Sequence, residues 1–167
     1  IRALGFFSRA DVEAREGSSP EQVIVDVDVE ESPTGSIGFG GSYSTDGGIG
    51  ANISFRERNF LGRGQQLAFS FSTGASSSNY AFSFAEPAIL NRDVRFGVSL
   101  GYSETDNQFD DSFDTTTGFF STSLTFPVAE YSTLQTRYGL RYTEMRNAGD
   151  GVGDIISAEV ARGGLYT

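Results

Sequence analysis

Residues able to do chemistry are few, and they form two groups. Glu104, Asp106, Asp110, Asp111 and Asp114 fall within one short stretch. Carboxylate oxygens are what calcium binds, so a calcium site is the first chemistry to weigh. The spacing is not that of an EF-hand loop, and Phe109 and Phe113 interrupt the acids. A solvated acidic loop is the favoured reading, because charge runs normally face water. The second group is Arg56, Arg95, Arg137 and Arg141, each set in an alternating segment. Such arginines can line a pore or pair with acids inside a closed sheet; pairing is favoured, since charges away from bulk water seek partners.

The residue types that are absent narrow the function further. The chain has no Cys and no His. That removes thiolate chemistry, disulfides, the commonest general base and the commonest metal ligand. No motif calls for a cofactor or a metal, and an enzyme is not expected. All 12 basic residues are Arg and the net charge is −10. Nucleic acid is therefore not expected as a partner, because phosphate binding needs a basic surface.

The elements that hold these residues read as strands. Leu67, Phe69 and Phe71 alternate with Gln66, Ala68, Ser70 and Ser72, and Val94, Phe96, Val98, Leu100 and Tyr102 with Arg95, Gly97, Ser99, Gly101 and Ser103. A period of two puts the two sets on opposite faces of a sheet. One set is aromatic-rich. The other is Gly, Ser, Thr, Asn, Gln and Arg, without the long Lys and Glu side chains that usually cover a wetted sheet. That combination fits a membrane barrel with lipid outside and a polar lumen. The competing readings are a soluble antiparallel sandwich or β-rich binding domain, which also alternates, and an ordinary porin-like channel or transporter. No apolar run approaches the roughly 20 residues of a membrane helix, which leaves a barrel possible.

Eight strands are expected in the repeating part: Thr34–Tyr43, Ile49–Phe60, Gln65–Thr73, Asn79–Glu86, Val94–Ser103, Thr115–Phe126, Thr133–Arg146 and Asp154–Arg162. Most reach the about 9–11 residues that a tilted spanning strand takes. The connections alternate in character. Those near Phe60, Pro87 and Phe126-Pro127 are compact and aromatic. Those at Asp46-Gly47-Gly48, Ser76-Ser77-Ser78, Glu104 to Asp114 and Asn147 to Gly153 are longer and polar. Membrane barrels carry that asymmetry between periplasmic turns and outer loops.

Residues 1–32 differ. Ile1, Leu4 and Phe7 have helical spacing, with Gly5 as a stop. Val12–Glu16 reads as a strand, Gly17-Ser18-Ser19-Pro20 as a turn and Val23–Glu30 as a half-buried strand with a charged solvent face. Ser32-Pro33 reads as a linker, since Pro interrupts a ladder. The expected division is 1–32 and 33–167, and the chain opens and closes as if cut from a longer one.

The first repeating strand is broken by Gly35, Gly38, Gly40 and Gly41. Glycine inside a strand marks bending, close approach or weak pairing. Curvature at a barrel corner and a seam whose pairing opens are both open readings here.

Thr34-Gly35-Ser36-Ile37-Gly38-Phe39-Gly40-Gly41-Ser42-Tyr43-Ser44-Thr45 resembles the first barrel strand of the POTRA-plus-barrel insertase superfamily, the BamA family of outer-membrane assembly factors. Glu57-Arg58-Asn59-Phe60-Leu61-Gly62-Arg63-Gly64-Gln65 is similar to its second strand and periplasmic turn. Glu86-Pro87 with Asn91-Arg92-Asp93, and then Phe126-Pro127-Val128-Ala129-Glu130-Tyr131, are similar to the next two turns. Leu4-Gly5-Phe6-Phe7 and the hairpin 11–31 resemble the end of a last POTRA domain, a small periplasmic α/β module.

The resemblance implies an all-β, transmembrane antiparallel barrel, of which this chain holds about eight N-terminal strands, preceded by the helix end and hairpin of a POTRA domain. It implies a bacterial outer-membrane location, with residues 1–32 in the periplasm. It also implies insertion of other barrel proteins, with unfolded outer-membrane proteins as substrates and accessory lipoproteins and lipid as partners. Gly35, Ser36, Ile37, Gly38, Phe39, Gly40, Gly41, Ser42 and Tyr43 would be the lateral seam that pairs with substrate strands. The family's inner-loop Arg-Gly-Phe motif is not expected in this segment, and Arg162-Gly163-Gly164 is not that motif.

Overall fold

A computed structural model describes residues 5–19, 21–45, 48–106, 113–146, 153–162 and 164–166. The chain divides into two units, Ile1–Gly35 and Ser36–Thr167.

The first unit is an antiparallel hairpin of β1 (Phe7–Glu16) and β2 (Val23–Glu31). Its turn closes with the Gly17 N–H donating to the Gln22 carbonyl and the Gln22 N–H donating to Ser19. Register sorts the side chains by character. Ala10, Val12 and Ala14 face Val29, Val27 and Val25, while Asp11, Glu13 and Arg15 face Asp28, Asp26 and Ile24. Arg9 pairs with Asp11 and Arg15 with Asp26, each at 2.5 Å. The strand expected to open at Val12 starts five residues earlier, at Phe7, so Phe7 belongs to the ladder and not to a helix end. Leu4 and the rest of that expected helix end, like Pro20, lie outside the described residues. The valines of β2 are exposed where half-burial was expected, because a two-stranded ribbon has no second layer to cover them.

The second unit is one sheet of eight strands in the order β10-β9-β8-β7-β6-β5-β4-β3. The strands are β3 (Gly35–Ser44), β4 (Gly48–Phe60), β5 (Gln65–Thr73), β6 (Ser77–Glu86), β7 (Arg95–Thr105), β8 (Asp114–Ala129), β9 (Ser132–Arg146) and β10 (Gly164–Tyr166). Each long strand pairs antiparallel with the next in sequence, a pure meander. Seven of the expected strands are present within a few residues of their expected ends. The largest extension is at β8, which runs through Pro127 to Ala129, with Pro127 opposite Thr133 and a register shift just after it.

The eighth expected strand, Asp154–Arg162, is instead a helix, α1, and the strand that pairs with β9 is the short Gly164–Tyr166. Ile155 and Ile156 are β-branched, a residue type enriched in strands. Yet Asp154 in the first turn and Arg162 in the last both suit the helix dipole, and the Ser157 N–H donates to the Gly153 carbonyl. The centre of the acidic loop and most of the 147–153 loop lie outside the described residues.

Cross-strand register assembles two faces of opposite chemistry. One row across the sheet is Ile53, Phe71, Tyr80, Tyr102, Gly118 and Tyr142. Its aromatic rings touch, with Phe71 and Tyr80 centroids 4.9 Å apart and Tyr80 and Tyr102 6.1 Å apart. A row on the other face is Arg56, Ala68, Ser83, Ser99, Ser121 and Gly139. Ala10 of the hairpin is the one fully buried apolar residue among the described residues. A sheet of this size with its aromatic face uncovered is not a water-soluble core.

Candidate functional site

β3 has one neighbour in the sheet, β4, and forms its edge. Every residue of Gly35–Ser44 is exposed. Ile37, Phe39 and Tyr43 stand on the aromatic face at 71%, 86% and 77% exposure. The main chain therefore offers a row of donors and acceptors beside three large apolar side chains, which is what an added strand needs.

The glycines of β3 have separate causes. A Cβ on Gly38 would sit 2.8 Å from the Ser54 hydroxyl, and one on Gly40 would sit 3.0 Å from the Asn52 amide. These two positions let β4 side chains lean across β3, the close-approach reading of a strand glycine. A Cβ on Gly41 would meet only the Gly50 carbonyl, at an ordinary 3.7 Å. Gly41 has no such packing reason, so it simply lowers the strand's stiffness and side-chain contact.

The compact end of the sheet is tied by its turns. The Asn59 side-chain oxygen accepts the Gly64 N–H at 2.7 Å, and the Glu57 carboxylate accepts the Asn59 N–H at 2.7 Å. A register shift between Glu57 and Phe60 brings Phe60 opposite Gln65, on the aromatic face. Gln65 donates to Glu86 at 2.5 Å, and Glu86 also accepts the Ala88 N–H. Leu61 and Leu90 head two of these turns with φ of 56° and 54°, a backbone that branched L side chains rarely adopt.

Cavities of about 320, 410 and 470 Å³ indent the polar face. Arg56 and Arg137, at opposite sides of the sheet, line the first together. Within β4–β9, Phe119 is the aromatic exception on this face. Its ring lies where a Cβ of Gly101 would be, 2.0 Å from that position, and Arg141 is directly opposite it on β9. Among the described residues, no ion pair forms at Arg56, Arg95, Arg137 or Arg141, where pairing was expected. Ion pairs among the described residues include Arg9–Asp11, Arg15–Asp26 and Arg146–Glu144. No group of three or more metal-ligating side chains occurs among the described residues.

Residues 59–159 match the Omp85 superfamily domain, well over half of the chain. The chain belongs to the Omp85 superfamily. Among curated relatives, the outer membrane protein assembly factor BamA of Neorickettsia risticii is 31% identical over 61% of this chain and 14% of its own length. BamA of Nitratidesulfovibrio vulgaris is 29% identical over 90% of this chain and 19% of its own. The chain thus spans less than a fifth of the length of these relatives. The crystal structure of BamA from Haemophilus ducreyi lacking POTRA domains 1–3 superposes with a TM-score of 0.65 at 28% identity, over 87% of this chain and 28% of that one. As an Omp85 sheet, the aromatic face is the lipid-facing wall of an outer-membrane barrel and the polar face lines its lumen. The strand alternation alone did not reveal that Phe119 sits on the lumen side; its odd number in β8, with Ser121 and Ser123, was the available signal.

Proposed function

We propose that this chain is the first half of the barrel of an outer-membrane protein insertase, preceded by the end of a periplasmic POTRA domain at residues 1–32. Its partners are unfolded outer-membrane barrel proteins, accessory lipoproteins and outer-membrane lipid; it is not an enzyme. Residues 35–43 are the lateral seam on which a substrate strand pairs.

The observation that carries this reading is the edge position of β3 with Ile37, Phe39 and Tyr43 exposed. A strand entering lipid alone carries unpaired N–H and C=O groups, each costing several kcal/mol in hydrocarbon. An edge that accepts the strand during insertion removes much of that cost. Weak side-chain packing at Gly41 keeps the pairing reversible.

Single cysteines at Phe39 and Gly41 of the full-length protein test it against a stalled barrel substrate carrying cysteines along its terminal strand. Disulfides are expected at both positions in register. Disulfides that form only from Tyr102→Cys on β7, and not from β3, would sink the seam.

A further inference from the structure

In a chain of net charge −10, the lumen wall has the opposite sign. Register places Arg56, Arg95, Arg137 and Arg141 on the polar face. The same registers turn Glu86, Glu104, Asp114 and Glu144 to the lipid side, near strand ends. Between the register shifts, β3–β9 carry no Asp or Glu among the described residues on the lumen face. Glu57 is the one acid that lines the first cavity, at its rim beside Arg56 and Arg58, and its carboxylate accepts the Asn59 N–H at the strand end.

The cavities on this wall run into one another. Those of about 320 and 410 Å³ share Arg56, Ala68, Ser83 and Ser99, and those of about 320 and 470 Å³ share Ser121 and Arg137. They form a trough across the strands, floored by small hydroxyl side chains and edged by guanidinium groups. Ser36 of the seam strand lines its near end.

We propose that this trough holds an acidic segment of the substrate polypeptide while the substrate's strand is paired at the seam. The proposal rests on the seam reading for the substrate's point of entry. Charge complementarity selects the occupant. These guanidinium groups have no ion pair among the described residues; such groups bind carboxylates in bidentate geometry, and serine hydroxyls complete the hydrogen bonding of an extended chain. The barrel part of this chain, residues 34–167, carries 14 acids against 9 arginines, and a substrate of similar composition brings the sign the trough attracts. Near the entry, Ser36 makes the trough continuous with β3, so a segment flanking the paired strand reaches Arg56 first and Arg137 later.

The test uses the full-length protein in outer membranes, with the photo-crosslinker p-benzoylphenylalanine in place of Ser99 and a cysteine at Gly41 reporting the seam. The substrate is a stalled eight-stranded barrel with acidic loops, compared with a version whose loop Asp and Glu are Asn and Gln. We expect Ser99 adducts on the acidic substrate. Their yield should fall at least tenfold with the neutral substrate and with R56Q/R137Q, and persist with R56K/R137K. Heat-modifiable gel mobility checks that each variant is folded. Adducts undiminished by either neutralisation overturn the proposal, as do adducts only to lipopolysaccharide, only to the protein itself, or none. Loss of the Gly41 disulfide with the Ser99 adducts retained refutes the seam and supports the trough. Retention of the disulfide with no charge-dependent adduct refutes the trough and leaves the seam standing.

Discussion

Adding one methyl group at Gly101 tests the inner wall. Its Cβ would lie 2.0, 2.5 and 2.8 Å from three carbons of the Phe119 ring. Ordinary carbon contacts begin near 3.5 Å, so the ring must move by about 1.5 Å or leave its place over β7. Overpacking of this kind costs about 1–3 kcal/mol. Against it stands the gain from replacing a strand glycine, about 0.5–1 kcal/mol. Gly101→Ala should therefore destabilise by about 1 kcal/mol, and Phe119→Ala should erase the clash. In the Phe119→Ala background, Gly101→Ala should become neutral or stabilise by about 0.5 kcal/mol. The assay is a double-mutant cycle on the full-length protein in detergent, read from urea midpoints of the heat-modifiable band. Equal destabilisation by Gly101→Ala in both backgrounds would refute the reasoning, because the glycine would then be required by backbone geometry and not by the ring.

Two further outcomes follow from the turns. Leu61→Gly should stabilise by up to about 1 kcal/mol by removing the left-handed backbone penalty of a side chain at φ 56°; a loss in the urea midpoint would instead show that the exposed leucine makes a contact worth more than the strain. Asn59→Ala should cost about 1 kcal/mol, since the Gly64 N–H loses its 2.7 Å acceptor, and Asn59→Asp should retain most of the stability in the same titration.

Much of this architecture is legible in the sequence because alternation is a local property. Leu67, Phe69 and Phe71 need only their own chain direction to declare a face, and the meander then follows from short connections. The lipid exposure was legible too, in the contrast between ring-bearing and Gly/Ser-bearing positions. Three things were not. Asp154–Arg162 has β-branched residues early on, but its end charges and the Ser157–Gly153 contact make a helix, and a nine-residue segment gives periodicity little to distinguish. The extension of β1 back to Phe7 depends on β2 as a partner, which no local pattern announces. The absence of acids opposite the arginines, among the described residues, is a matter of register between partners 12 to 30 residues apart, and the sequence showed the arginines without showing what lay opposite. The edge strand β3 stood out by its glycines, but only the packing of Ser54 and Asn52 separates Gly38 and Gly40 from Gly41.

The lumen wall has one further consequence, which concerns chemical labelling. Its positive charge is carried by arginine alone, in a chain without lysine. Amine-selective reagents therefore find no side chain to modify on this wall. Only a reagent selective for the planar guanidinium group would neutralise it.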